Sequence, residues 1–155
     1  MAMLVIGIFL TSQYAATSRV WGLLRASLES NSASRVLNGR AEQIRAATWT
    51  QVTSSDFLAT SVLSVKADAG GELGALVETV DVIAYPTPAV TTPSLQITRN
   101  NDASAVTIVG AGDGTMITQP SIRINLTANW TAKGGMARTR QLTMVLSYGG
   151  VTGRH

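Results

Sequence analysis

The stretch I-R-I-N-L-T-A-N-W, residues 122–130, alternates apolar and polar side chains without interruption. A period of two predicts a β-strand with one buried face. Residues 142–148 alternate in the same way. Between the two stretches lies T-A-K-G-G-M-A, residues 131–137, in which Gly134 and Gly135 can adopt the positive φ of a hairpin turn. The chain from residue 121 onward therefore predicts an antiparallel hairpin.

Further strand signals precede this hairpin. Residues 76–85 are rich in Val and Ile and end at Pro86. Residues 95–99 and 105–109 are two shorter strand-like stretches, with a turn predicted at 100–102. No helical pattern interrupts these strands. The sequence therefore predicts the α+β class, in which a small antiparallel sheet is segregated from the helical part of the chain.

The helical part is predicted at the N-terminus, since no proline occurs before Pro86. Residues 1–10 are apolar, residues 11–18 are uncharged, and the first charge is Arg19. Spacings of mostly three and four then predict one apolar helix face: Val20, Leu24, Leu28, Ala33, Leu37, Ala41, Ile44 and Thr48. The opposite face would carry Arg25, Glu29, Arg35, Arg40, Glu42 and Arg45, with Glu42 and Arg45 paired across one turn. We expect a single helix of about 45–50 residues that ends near Trp49.

The amphipathic half of this helix is predicted to pack on the sheet. The contact would join Leu37, Ile44 and Trp49 to the inward face of the hairpin, which consists of Ile122, Ile124, Leu126, Leu142, Met144 and Leu146. Replacing Leu37 or Ile44 with alanine should then cost about 2–5 kcal/mol. Replacing Arg40, on the predicted polar face, should cost far less.

Three interpretations of the apolar run at residues 1–10 compete. A signal peptide should carry basic residues before the run, and none precedes Arg19. A buried core helix should be striped, whereas this run is apolar all round. The third interpretation, which we favour, is a membrane helix whose first residues are missing from the sequence, because a bilayer span needs about 20 apolar residues.

Composition excludes several classes of protein. The 155 residues include no cysteine, and the only histidine is His155. These counts exclude a disulfide scaffold, a cysteine nucleophile, a Ser-His-Asp hydrolase and a multi-histidine metal site. Charged residues are 14% of the chain, and the 12 Lys and Arg form no dense run, so nucleic acid is not a predicted partner. We predict no catalytic residues, no cofactor and no metal site.

Two motifs carry chemistry in other proteins. Residues 109–115, V-G-A-G-D-G-T, resemble a phosphate-binding glycine loop. Thr115 stands where such a loop has its last glycine, and Pro120 with the strand behind it leaves no room for the required helix. We interpret the motif as a glycine-rich turn. Asn125 and Asn129 begin glycosylation sequons, and we interpret them as the polar face of a strand.

The remaining polar and aromatic candidates are interpreted structurally. The only acidic cluster, Asp68, Glu72, Glu78 and Asp81, lacks the loop pattern of a calcium site and is predicted to be a solvated face. Trp49 and Trp130 are predicted to be packing groups whose indole N–H is hydrogen-bonded.

Three stretches are similar to parts of one protein family. They are A-M-L-V-I-G-I-F-L (2–10) with the uninterrupted helix after it, A-E-Q-I-R-A-A-T-W (41–49), and the closing hairpin from I-N-L-T-A-N-W-T to R-T-R-Q-L-T-M-V-L-S (124–147). On these residues the chain resembles a type IV pilin-like protein, meaning a minor pilin or a type II secretion pseudopilin. The resemblance extends over the whole architecture and is specific only in these short stretches.

The sequence departs from the family pattern at its start. The family's leader ends in glycine and is followed by Phe-Thr-Leu-x-Glu, and neither is found here. No prepilin-peptidase site and no assembly glutamate are therefore assigned. Ten apolar residues span only about 15 Å as a helix, half of a hydrocarbon core of about 30 Å. We expect that Met1 is a mis-assigned start and that upstream DNA encodes, in frame, a basic leader, a glycine and an apolar stretch with one glutamate.

The resemblance implies a non-catalytic structural subunit of a type IV pilus or type II secretion pseudopilus in the cell envelope. Residues 1–24 would be the membrane and filament-core half of the helix, and residues 25–155 a periplasmic or extracellular head. The partners would be the inner membrane and other pilin or pseudopilin subunits. The residues in membrane or filament contact would be Met3, Leu4, Val5, Ile6, Ile8, Phe9, Leu10 and Tyr14.

Two alternatives stay open at the level of sequence. A membrane-anchored, exported β-rich module that binds a ligand such as a glycan, without polymerising, should keep its activity when residues 1–25 are deleted. An enzyme that uses residues 109–115 should lose its activity on Gly112→Val.

Overall fold

A computed structural model of the chain describes residues 2–64, 71–86, 93–100, 106–110 and 112–149. Side chains are described throughout these ranges except at 2–12 and at Asp113. Within the described ranges the chain forms one long helix, four short helical segments and five strands. The predicted α+β class is confirmed, because a helical layer lies on one face of a wholly antiparallel sheet.

The long helix α1 spans Ala2–Arg45, so it ends four residues before the predicted limit at Trp49. Thr48 takes an extended conformation and starts the next helix, α2, Trp49–Val52, with a capping box in which the Thr48 N–H donates to Gln51 Oε1 at 2.9 Å. The short helix α3, Ser55–Phe57, and a π-helical segment, Leu58–Val62, follow. The predicted pair of Glu42 and Arg45 is confirmed on the exposed side of α1.

The sheet contains β1, Gly74–Ala84; β2, Ser94–Asn100; β3, Val106–Gly110; β4, Ser121–Thr131; and β5, Ala137–Ser147. Its strand order is β3-β2-β1-β4-β5. The predicted hairpin is confirmed as β4 and β5, with Ile124 opposite Met144. In its turn Gly135 has a φ of 78°, whereas Gly134 does not take a positive φ. Beyond Asn100, the predicted turn at 100–102 lies outside the described residues.

The hydrophobic core lies between the sheet and the helical layer. Alternate residues of β4 are buried, as the period of two predicts. The predicted helix–sheet contact is confirmed, since Leu37 and Ile44 of α1 belong to one core cluster with the inward residues of β4 and β5, and Trp49 and Leu142 pack against it. The π-helical segment adds Leu58 and Val62 to this cluster.

Both tryptophans at the ends of elements are packing groups, as predicted. The Trp49 Nε1 donates to the carbonyl oxygen of Ile117 at 3.0 Å, and its ring lies edge-on to Tyr148 with centroids 5.8 Å apart. The Trp130 Nε1 donates to Glu29 Oε2 at 3.5 Å. The two indoles therefore mark opposite ends of the helix–sheet contact.

Candidate functional site

Helix α1 has two apolar stripes rather than the single stripe that the sequence predicted. Ala33, Leu37 and Ile44 are buried against the sheet, with 0–3% of their surface exposed. Leu24 and Leu28, from the same predicted stripe, are 50% and 63% exposed. The reason is the step of five residues from Leu28 to Ala33, which turns the helix by about 140°. The two halves of the predicted stripe therefore face different directions.

The second stripe consists of Tyr14, Trp21, Leu24 and Leu28, and we call it the outer stripe. Tyr14, Trp21 and Leu28 are seven residues apart, so they lie almost in line along the helix. Their exposed fractions are 79%, 61% and 63%. A seven-residue repeat of large apolar side chains on a free helix face is the pattern by which helices pack on other helices. Val20, also exposed, lies beside Leu24 at the edge of this stripe, whereas the exposed Leu23 points away from it, since two residues turn a helix by about 200°.

The predicted membrane and filament contacts fall on the first turns of α1. The backbone of residues 3–10 is helical. The side chains of Met3, Leu4, Val5, Ile6, Ile8, Phe9 and Leu10 lie outside the described residues. Tyr14, the remaining predicted contact, belongs to the outer stripe. Over the part of the chain that the structure describes, no helix is long and apolar enough to cross a membrane.

Arg40 is buried, so its predicted place on a polar, solvated face is wrong. It is 7% exposed, and Glu78 of β1 is 5% exposed. The Arg40 Nε donates to Glu78 Oε1 at 2.9 Å, and Nη2 donates to Glu78 Oε2 at 3.2 Å. This bidentate geometry is the strong form of an arginine–carboxylate pair. Glu78 is therefore no member of a solvated acidic face, and we now expect the replacement of Arg40 to cost more than its assignment to the polar face predicts.

A row of inward-facing polar side chains crosses the sheet at the level of this ion pair. The row consists of Arg99 on β2, Glu78 on β1 and Arg140 on β5, with Ala128 of β4 between the last two. Each charged side chain of this row bonds to a residue of the helical layer. Arg99 Nη1 donates to the carbonyl oxygen of Leu63 at 2.7 Å, and Arg140 Nη1 donates to the hydroxyl of Ser30. We call this set the polar row.

Glu29, next to Ser30 on α1, adds a further polar contact with the hairpin. The sequence placed it on the exposed face, whereas it is 7% exposed. Its carboxylate accepts from the Trp130 Nε1 at 3.5 Å and from the backbone N–H of Lys133 at 3.4 Å. Helix and hairpin are thus joined by polar bonds near the N-terminal end of the contact and by apolar packing near its C-terminal end.

A signal for this polar contact was present in the sequence. Glu78 occupies the same parity of β1 as Leu76 and Val80, so the alternation alone places it on the buried face. Arg40 lies three residues after Leu37 and four before Ile44, which is the spacing of one helix face. Two opposite charges at inward positions of two packed elements indicate a buried ion pair. Judged by residue type alone, both side chains are expected at the surface.

The glycine motif at 109–115 forms the end of β3 and the start of a short helix, α4, Asp113–Ile117. The expectation that no helix can follow the motif is therefore wrong, because five residues fit before Pro120. Gly110 has a φ of 117°, and a Cβ there would lie 2.2 Å from the carbonyl oxygen of Ser94. Close approach of β2 thus explains why this position is glycine.

We expect Gly110→Ala to lower the free energy of unfolding by about 1–3 kcal/mol, because the added methyl group meets backbone at a strained φ. Gly114→Ala is the matched control, since a Cβ there has no neighbour within 4 Å. It should be neutral or stabilising by up to about 1 kcal/mol, as alanine favours a helix. Urea denaturation of both variants measures the difference. Equal effects would show that the strand approach does not require glycine at 110.

The remaining candidates take part in structural contacts. Asn125 and Asn129 accept from the hydroxyl groups of Thr143 and Thr139 across β4 and β5, at 3.0 and 2.7 Å. The Glu72 carboxylate pairs with Arg35, with Oε2 3.5 Å from Nη2. Asp68 lies outside the described residues. No group of three or more metal-binding side chains occurs where the structure describes the chain.

Comparison of the chain with protein-family models, with curated proteins and with solved structures found no match.

Proposed function

We propose that this protein is a non-catalytic structural subunit of a type IV pilus or a type II secretion pseudopilus. The observation that carries the proposal is the outer stripe. It presents large apolar side chains to solvent from the same helix whose other face builds the core of the head. A helix with one face committed to its own head and another left open is suited to packing against helices of neighbouring subunits.

Assembly through the outer stripe would be driven by apolar burial. Each large side chain contributes about 1.5–3 kcal/mol when it is fully transferred from water. Before assembly, residues 1–24 would lie in the inner membrane. On assembly, the apolar surface of these residues would pack against neighbouring helices in the filament core. No chemical step is involved, and no cofactor is proposed.

The polar row supports this proposal by fixing the orientation of the helix. Apolar side chains alone tolerate rotation and sliding, whereas a bidentate pair such as Arg40 and Glu78 forms in only one register. The same register that buries Ile44 turns Trp21 and Leu28 away from the sheet. Each subunit would therefore present its outer stripe in one defined direction, which a regular filament needs.

Deletion of residues 1–24 distinguishes a filament subunit from a membrane-anchored ligand-binding module. The described core includes no residue before Ala33, so the shortened head is expected to fold. We expect the protein produced from its own gene, with the DNA upstream of codon 1 retained, to be recovered with other pilins in a sheared filament fraction, and the shortened chain to be absent from it. A ligand-binding module that does not polymerise would be absent from the fraction at either length, and that result would overturn the proposal.

A further inference from the structure

A cleft of about 330 Å³ lies where α1 leaves the head, between the helix and the turn that joins β4 to β5. On the helix side it is bounded by Gly22, Arg25 and Glu29, and on the turn side by Lys133, Met136 and Arg138. Gly22 carries no side chain toward the cleft, and a Cβ built there would have no neighbour within 4 Å. The cleft is therefore open beside the free half of the helix.

The rim of this cleft is cationic. Arg25, Lys133 and Arg138 surround it, and none of them takes part in the ion pairs found among the described residues. Glu29 is the one carboxylate in the lining, and it is buried beneath the Trp130 indole and the Lys133 N–H. Glu72, in the adjoining groove, lies beside Arg35. The outward-facing charge of the rim is consequently positive.

The turn also carries an apolar tip. Met136 is 63% exposed, next to Gly134 and Gly135 and between the two basic side chains of the turn. On the helix, Trp21 lies between the first two charges of the chain, Arg19 and Arg25. Basic side chains around an exposed apolar tip, with an amphipathic aromatic ring at the same level, are the combination that binds the interface of an anionic bilayer.

We infer that the head docks on an anionic phospholipid surface through the β4–β5 turn, with Arg25, Lys133 and Arg138 on headgroup phosphates and Met136 in the interfacial layer. This inference rests on the proposed insertion of residues 1–24 in the membrane, which brings the turn to headgroup level. Docking would hold each subunit upright before assembly, with Tyr14 of the outer stripe within the bilayer and Trp21 at its interface.

The absence of cysteine from the sequence allows a direct test on the full chain. Met136→Cys is labelled with a fluorophore, and the protein is reconstituted in nanodiscs that contain lipids with spin-labelled headgroups. Thr118→Cys is the matched control, because an 11-residue strand separates the two ends of the head by about 35 Å. We expect strong quenching of the label at position 136 in discs with about 30% anionic lipid, and weak quenching in zwitterionic discs.

Charge variants test the role of the rim. Arg25→Gln with Lys133→Gln should shift the equilibrium from docked to undocked heads about 25-fold, which is about fivefold for each cation at about 1 kcal/mol. Arg45→Gln, 20 residues further along α1, should leave quenching unchanged.

The outcomes separate the docking from the proposed function. Protein that enters the discs but shows equal quenching at positions 136 and 118, or no dependence on lipid charge, overturns the docking alone. Quenching that rises only when filaments form would mean that the rim binds a neighbouring subunit, and it would also overturn the docking. Protein that does not enter the discs overturns both the anchoring and the docking.

Discussion

Replacing Arg40 with methionine is expected to lower the free energy of unfolding by about 3–5 kcal/mol, because it leaves the Glu78 carboxylate buried without its cation. Both side chains are more than nine-tenths buried, and two hydrogen bonds join them. Arg45→Met is the matched control on the same helix. Its pair with Glu42 is exposed on both sides, so it should cost at most about 1 kcal/mol.

A double variant distinguishes a lost charge partner from lost packing. Arg40→Met combined with Glu78→Leu removes both charges and fills the space with apolar atoms, so it should recover most of the stability that the single variant loses. Chemical denaturation of the unaltered protein, of Arg40→Met and Glu78→Leu singly, and of the double variant measures the coupling free energy between the two side chains. A cost for Arg40→Met no larger than that for Arg45→Met would contradict the buried pair and restore the expectation from sequence.

Ile44→Ala is expected to destabilise the head by about 2–5 kcal/mol, since Ile44 is fully buried where the last turn of α1 packs on the sheet. Leu28→Ala is its matched control. It removes a side chain of similar size from the same helix, but one that is 63% exposed, and it should change the stability of the isolated chain by less than about 0.5 kcal/mol. Thermal or urea unfolding followed by circular dichroism checks the pair.

The comparison also tests the division of α1 into two faces. If Leu28→Ala cost as much as Ile44→Ala, the single stripe predicted from the sequence would be correct, and the outer stripe would not exist as a free surface. If Ile44→Ala cost little, the helix would not dock on the sheet through its C-terminal half.

The sheet could be predicted because its signal is local. The alternation of apolar and polar residues at 122–130 identifies a strand with one buried face without any knowledge of the rest of the fold. The pairing with the next strand then follows from the short turn before Met136. The long helix could also be predicted from the sequence, since no proline precedes Pro86. Its end was placed four residues late because Thr48, counted as helical, is the N-cap of the next helix.

The relation between the elements was harder to predict. The spacing of five residues from Leu28 to Ala33 shows that the apolar face changes direction, because five residues turn a helix by about 140°, whereas four turn it by only about 40°. Arg40 and Glu78 were assigned to the surface because charged residues are seldom buried, which holds on average and fails where two of them meet. The short helix after Gly112 could not be inferred from its neighbours, since a glycine-rich turn and a five-residue helix fit the same space.

Recovery of the protein in a sheared filament fraction, together with other pilins, tests the proposed function most directly when it is produced from its own gene with the DNA upstream of codon 1 retained. Leu24→Glu should abolish this recovery, because it places a charge in the outer stripe where helices would pack. Asn38→Glu adds the same charge at an exposed position of the same helix, beside the head, and should leave recovery unchanged. Equal recovery of the two variants, or no recovery of the unaltered chain, would contradict a role as a filament subunit.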